Sequence, residues 1–372
     1  MYKRQVLEVS GPHATSFLDT VASNYIAWLD PGQSCYAYLL DPDGGIIDDI
    51  MIYCRARDRY LVVINAANAE KDWDWLVAVN ERRVIIDRQN PAAQVSAGAT
   101  IRDLKDPAHG PACKVDIAFQ GAAALPTLQA MTDDRWVRAA LARLRRTDLI
   151  EIELARIPLV IARTGYTGED IGYEIFVHPD QAAELWRTIL AVGESYGVKP
   201  AGLAARDSTR TEFGLPLYGH ELAGPYKIDP IEAGFSGYVK YHKPFFIGRD
   251  ALLAREGQRS MQVLRFRMDE RGVRVAKTLD PVLNKRGQVV GNVTSCSIDS
   301  DGYLMGLAYC KTGVADDGTP LQILSLPRQI PAGKDADKLV PGDKLVLPDR
   351  ATVLPRFVAR AASAGALPGG GD

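Results

Sequence analysis

The reading of the chain turns on Arg163-Thr164-Gly165-Tyr166-Thr167-Gly168-Glu169-Asp170, followed by Ile171-Gly172-Tyr173-Glu174-Ile175-Phe176-Val177. The first eight residues are polar and punctuated by glycine, which is turn grammar. Gly165 and Gly168 permit backbone conformations that side chains forbid, so a ligand or another strand can approach closely there. Tyr173 to Val177 is an apolar strand with Glu174 inside it, and a carboxylate in such a strand costs free energy unless something pairs with it. An amphipathic helix follows from about Asp180, with Leu185, Trp186, Ile189 and Val192 on its apolar side. A second helix runs from Leu203 to Phe213 and stops at Gly214, placing Arg206 and Arg210 one turn apart on one face. Spacing alone leaves two readings open: a pocket for a planar, hydrogen-bonding, partly anionic ligand, or an α/β layer with a solvated acidic turn.

Residues 34–66 carry the second signal. SCYAYLL, the turn DPDGG, IIDDIMIYC, the turn RARDR and YLVVINAAN read as three antiparallel strands joined by tight turns. In the middle strand, the period of two puts Ile47, Asp49, Met51 and Tyr53 on one face, and Ile46, Asp48, Ile50 and Ile52 on the other. Two adjacent carboxylates therefore point opposite ways from an apolar strand. Either at least one of them takes a partner, a raised pKa or a ligand, or both bond backbone beside the Gly44-Gly45 turn.

Elsewhere, Val6 to Ser10, Gly11-Pro12 and a helix through Phe17, Leu18 and Val21 form a strand–turn–helix unit. Residues 117–131 repeat it around Gly121, which points to two related α/β layers in one body. Residues 138–162 give a basic helix with a solvated arginine face, then the strand-like run LIEIELARIPLVIA. Residues 262–325 alternate apolar and polar with turns at intervals, as a small β-barrel or sandwich does. Residues 326–344 read as an inserted loop and 361–372 as a disordered tail.

The chain has 372 residues, enough for two or three structural units. Charged residues make up 24% and the formal net charge is −2, so no basic surplus points to nucleic acid. Cysteines 35, 54, 113, 296 and 310 lack metal or paired spacing; Cys35 and Cys54 sit in apolar strands as small buried thiols, and a reducing cytoplasm fits. No stretch approaches the roughly 20 apolar residues of a membrane span, and no secretory signal is visible. His220, alone after a glycine, reads as a structural hydrogen-bonder.

RTGYTGED, GYEI, KPAGLAARDSTRTEFGLPLYGHEL, PIEAGF and KPFFIGRDAL, in that order, resemble the T-protein family of the glycine cleavage system. That family comprises aminomethyltransferases and folate-dependent methyltransferase relatives, and the resemblance covers about residues 6 to 360. It implies an α+β fold: interleaved folate-binding α/β domains over 1–256, then a C-terminal β-barrel over 257–360. It also implies a further segment before residue 6, so MYKRQ reads as a non-native start to an N-terminally short chain.

The resemblance implies tetrahydrofolate as cofactor and assigns site residues. GGIIDDIMIY resembles the segment whose second aspartate reaches the folate's reactive nitrogen, making Asp49 the catalytic candidate. Tyr36, Tyr53 and Asn65 would line the pterin and benzoyl parts of the site, joined by Tyr166, Glu174 and Arg206. The implied activity is aminomethyl transfer from a small molecule or a lipoyl carrier protein, with no nucleic-acid or membrane partner. Demethylation of an O-, N- or S-methylated donor stands close behind, because Arg146, Thr147, Gly237 and residues 296–299 depart from the family pattern. Where the family often has tryptophan, Gly237 stands, shifting the aromatic wall toward Tyr238. A non-catalytic folate binder for iron–sulfur assembly is remote, since residues 240–248 lack that branch's KGCYxGQE-like motif.

Overall fold

The computed structural model describes residues 4–325 and 346–358. Contacts divide the chain into two units, Met1–Arg206 with Leu217–Ser260, and Asp207–Pro216 with Met261–Asp372. The inserted loop expected at 326–344 and the tail at 361–372 lie outside the described residues.

In the first unit, β1 (Arg4–Ser10), β2 (Gln33–Leu40), β3 (Ile46–Ala56), β4 (Arg59–Asn65) and β5 (Thr100–Asp103) form an antiparallel sheet in the order β2-β3-β4-β1-β5. The turns that join β2, β3 and β4 are the two read from the sequence. Helices α1 (Ala14–Val21) and α2 (Ala69–Asn80) cover one face, burying Phe17, Leu18, Leu76 and Val79 against Leu39, Ile50, Ile52 and Val62. Each such side chain removes enough apolar area from water to contribute about 1.5–3 kcal/mol.

A second sheet holds β6 (Val115–Gln120), β7 (Leu149–Leu154), β8 (Ile157–Ala162) and β9 (Gly172–Val177), in the order β6-β9-β8-β7. Its outer face carries α3 (Ala124–Ala130), α4 (Arg135–Arg143) and α5 (Pro179–Gly193), through Leu128, Leu141, Leu185 and Ile189. Trp186, expected on the buried side of α5, is instead 41% exposed, because the apolar stripe is already filled by Leu185 and Ile189. The run from Leu149 to Ala162 is a hairpin rather than one strand. Ala155 and Arg156 turn it with φ of 50° and 64°, a two-residue turn without the glycine that would have signalled it.

The inner faces of the two sheets pack on each other through Val6, Tyr53, Leu61 and Val63 from one and Leu149, Val160, Ala162 and Phe176 from the other. The layers are thus helix, sheet, sheet, helix. The strand–glycine–helix repeat is present in both halves, with Gly11 at φ 102° and Gly121 at φ 105°. After the second sheet the chain returns to the first. The Lys240 amide donates to the Ser23 carbonyl and the Ile247 amide to the Thr20 carbonyl, and Ile247 enters the first core. This return is the interleaving.

Fully buried Lys243 secures the crossing. Its Nζ donates to the carbonyls of Asp19, Ala22 and Asn24 around the C-terminal end of α1, and pairs with the Asp19 carboxylate at 3.2 Å. Free backbone carbonyls at a helix end are a natural seat for a cation.

Helix α6 (Leu203–Glu212) contributes Arg206 to the first unit and Arg210 to the second. There Arg210 is buried and donates to Asp207 at 2.7 Å and to Ser295 Oγ at 2.8 Å. A short helix α7 (Arg249–Ala254) closes the first unit. In the second unit, β10 (Met261–Met268), β11 (Pro281–Leu283), β12 (Val289–Ile298), β13 (Leu304–Lys311), β14 (Pro320–Ile323) and β15 (Asp349–Leu354) close into a barrel around Phe266, Val293, Ala308 and Val353.

Candidate active site

Side chains directly opposite each other in an antiparallel pair share a face. Tyr36 opposes Met51 and Tyr38 opposes Asp49, so these four and Tyr53 look toward the second sheet. From that sheet Glu174 and Phe176 look back, because Tyr173, Ile175 and Val177 take the helix-covered side. The space between the sheets therefore receives Asp49 from one wall and Glu174 from the other.

Glu174 is held on every side. Its Oε1 pairs with Arg4 at 3.2 Å, while Oε2 accepts from the Thr164 hydroxyl at 2.9 Å and from the Tyr53 hydroxyl. Burial pushes this carboxyl up, but Arg4 and the two hydroxyls outweigh it and hold it below its ordinary value. It is the buried anion whose partner the sequence demanded.

Asp49 has a different environment. Asn65 Nδ2 donates to its Oδ1 at 3.1 Å and to its carbonyl at 3.3 Å, and Tyr36 lies nearby on the same face of the sheet. Burial, then the charge of Asp48, raises its pKa to about 6, against the opposing pull of Arg4, Tyr36 and Asn65. Two carboxylates on facing walls, one held ionised and one poised near neutrality, make a pattern suited to binding plus proton handling.

Aromatic rings line the same space. Tyr36 meets Tyr38, Phe235 and Tyr238 edge-on at centroid distances of 5.3, 6.4 and 4.7 Å. The Arg206 guanidinium lies over the Tyr166 ring, 5.0 Å from its centroid. Burial, then the like charge of Arg4, lowers the Arg206 pKa. Gly165 gives a neighbouring side chain close access to the backbone. A Cβ there would sit 2.0 Å from Gln120 Oε1, and Gln120 Nε2 donates to the Thr164 and Tyr173 carbonyls, tying the turn to β6.

With this geometry in view, a family model described as the GCVT N-terminal domain matches residues 3–243. The chain belongs to the T-protein, or aminomethyltransferase, family. It is 32% identical over 341 residues to an aminomethyltransferase of Bacteroides thetaiotaomicron, spanning 87% of this chain and 82% of that one. To an aminomethyltransferase of Shouchella clausii it is 36% identical over 320 residues, spanning 85% and 79%. Among solved structures it is similar to the glycine cleavage system aminomethyltransferase T from Bartonella henselae. The TM-score is 0.72 over 95% of this chain and 83% of that one; at 24% identity this speaks to the fold alone. The T-protein fold read from the sequence, α+β with a closing barrel, is the one observed.

All seven residues singled out by family resemblance lie in the first unit. Asn65 bonds Asp49, Tyr53 bonds Glu174, Arg206 stacks on Tyr166, and Tyr36 packs beside both Asp49 and Tyr238. Sequence reasoning missed Arg4, Thr164, Asn68 and Asp72. Thr164 lay inside the quoted turn and was legible as a nearby donor for Glu174. Arg4 gave no signal, because its partner is 170 positions away. Among the described residues no group of histidine, cysteine and carboxylate side chains is arranged to hold a metal, and no helix is long and apolar enough to cross a membrane.

Proposed function

We infer that the protein is a tetrahydrofolate-dependent one-carbon transferase acting as an aminomethyltransferase, with Asp49 as its proton-handling group. The supporting observation is the convergence of Asp49 and Glu174 from facing sheets onto one aromatic-lined space. The donor set fits a reduced pterin. Ionised Glu174 matches an N–H-rich edge, Tyr36 and Tyr166 offer flat faces, and Asn65, its N–H groups committed to Asp48 and Asp49, offers its side-chain carbonyl. Arg4 now holds one Glu174 oxygen, so a ligand taking that oxygen must share or displace the guanidinium.

Bound tetrahydrofolate supplies the nucleophilic nitrogen to which the one-carbon unit is transferred. Asp49, ionised, takes a proton on a carboxylate oxygen, and Asn65 Nδ2 holds that group in place. The apolar wall of Met51, Val63 and Phe176 excludes water from the same space. The donor is a small amine or an aminomethyl group carried on a lipoyl arm.

A second reading, demethylation of a methylated small molecule, draws on the altered wall. Gly237 carries no side chain, and Tyr238 packs on Tyr36 in its place. Calorimetric titration with tetrahydrofolate tests the inference, followed by product analysis with candidate donors. Saturable binding with methylene-tetrahydrofolate as product supports aminomethyl transfer; methyl-tetrahydrofolate selects demethylation. Absence of binding overturns both.

A further inference from the structure

Behind Asp49, on the helix-covered side of β3, lies a second pair of carboxylates outside the proton handling assigned above. Asp48 and Asp72 are both 0% exposed. Asp48 receives three amide donors: Asn65 N at 3.0 Å on Oδ2, and Asn65 Nδ2 at 2.9 Å and Asn68 Nδ2 at 2.7 Å on Oδ1. Asp72, in the first turn of α2 and one turn on from Asn68, receives none; neither of its oxygens has a hydrogen-bond partner among the described residues, and Asp48 is the carboxyl nearest to it in effect. An aspartate in a first helical turn is normally a solvated ion favoured by the helix dipole. Here it is sealed against β3 beside another carboxyl. The neighbouring cation, Lys71, spends its ammonium on the Ile47 carbonyl and, at 2.7 Å, on the Tyr218 hydroxyl.

Two neighbouring carboxyl groups shut away from water resist being ionised together, and the one with no donors is the one that keeps its proton. Burial, then the contact with Asp48 and its charge, drives the Asp72 pKa far up, with Asp49 adding to this and Lys71 opposing it. The same Asn65 Nδ2 serves Asp48 Oδ1 and Asp49 Oδ1, so anything that changes what Asp48 demands of Asn65 is felt at Asp49.

We propose that Asp72 is a positioning residue: as an uncharged carboxylic acid it donates to Asp48, and so keeps the Asn65 amide shared between Asp48 and Asp49. Its proton also leaves the pair with one negative charge rather than two beside Asp49. No bond to ligand is involved. The role rests on the assignment of Asp49 as the proton-handling group, and it acts through Asp48 and Asn65. The charged and titratable groups around Asp49 that enter the balance are Asp48, Asp72, Arg4, Tyr36 and Tyr38.

The test is carboxyl titration by carbon-13 NMR of the ligand-free protein labelled at aspartate, together with the pH profile of turnover, for wild type, Asp72→Asn and Asp72→Ala. Asp72 is expected to remain protonated through neutral pH. Asp72→Asn, neutral and still a donor to Asp48, should leave the Asp49 titration and the acid limb of turnover where they are. Asp72→Ala removes the donor, draws Asn65 toward Asp48, and should move the Asp49 titration up by about one pH unit. Titration of Asp72 in the ordinary carboxyl range overturns the proposal, as does Asp72→Asn shifting Asp49 as far as Asp72→Ala does. If Asp72→Ala does not fold, the wild-type and Asp72→Asn titrations still decide. The NMR readout needs no catalysis, so Asp49 titrating as expected while turnover ignores it would sink the catalytic reading, leaving only the control of the Asp49 titration by Asp72.

Discussion

The Tyr53 hydroxyl donates to the Glu174 carboxylate, and the two residues belong to different sheets, 121 positions apart in the chain. This bond spans the packed inner faces and places the ionised wall of the site opposite Asp49. It also makes Glu174 a structural residue as well as a binding one, since Arg4 and Thr164 converge on the same carboxylate.

Asp49→Ala should lower turnover by about 10²–10⁴-fold, the range for removing a general acid or base. Asp49 is half-buried and accepts a shared amide, so the fold should persist. Circular dichroism and thermal unfolding check that, and full turnover in a folded variant removes Asp49 from the mechanism.

The acid limb of turnover should reflect Asp49. Its pKa is raised to about 6 by burial and then by Asp48, and the proton-accepting form is the ionised one. Activity should therefore fall as pH drops through about 6, by roughly tenfold for each further unit. A rate independent of pH between about 5 and 7 contradicts the role.

Glu174→Ala should abolish tetrahydrofolate binding in calorimetry. It should also destabilise the fold by about 3–5 kcal/mol, because a mostly buried Arg4 loses its counter-charge. Glu174→Gln separates the two effects. The folded-state pKa of Glu174 lies below its unfolded value, so its stabilisation is present above about pH 4.3 and fades as pH falls through the folded value. Glutamine should flatten that acid-side loss, and denaturant midpoints measured across pH 3 to 7 would reveal an unchanged slope if the pairing is unimportant.

Gly306→Ala should destabilise the barrel by about 1–3 kcal/mol. A Cβ at that position would sit 2.4 Å from the Ser295 carbonyl oxygen and 2.5 Å from Phe266 Cζ, so strands must separate to admit it. Hydrogen exchange across β10, β12 and β13 is the readout, with faster exchange expected there; unchanged protection means the strands accommodate the methyl group.

Much of this molecule is local grammar. The alternation in IIDDIMIYC is enough to send Asp48 and Asp49 to opposite faces, and tight turns are enough to fold 34–66 into three strands, because a period of two and a turn are properties of neighbouring residues. The strand–glycine–helix repeat and the family motifs likewise stand in the linear order. What those faces meet was not there to read. That Asp49 looks at a second sheet and Asp48 at the buried carboxyl of α2, that Arg4 closes on Glu174, and that 149–162 doubles back without a glycine are settled only when sheets pack. Charge pairing and desolvation depend on distance in space, and chain order carries no record of that distance until the core has formed.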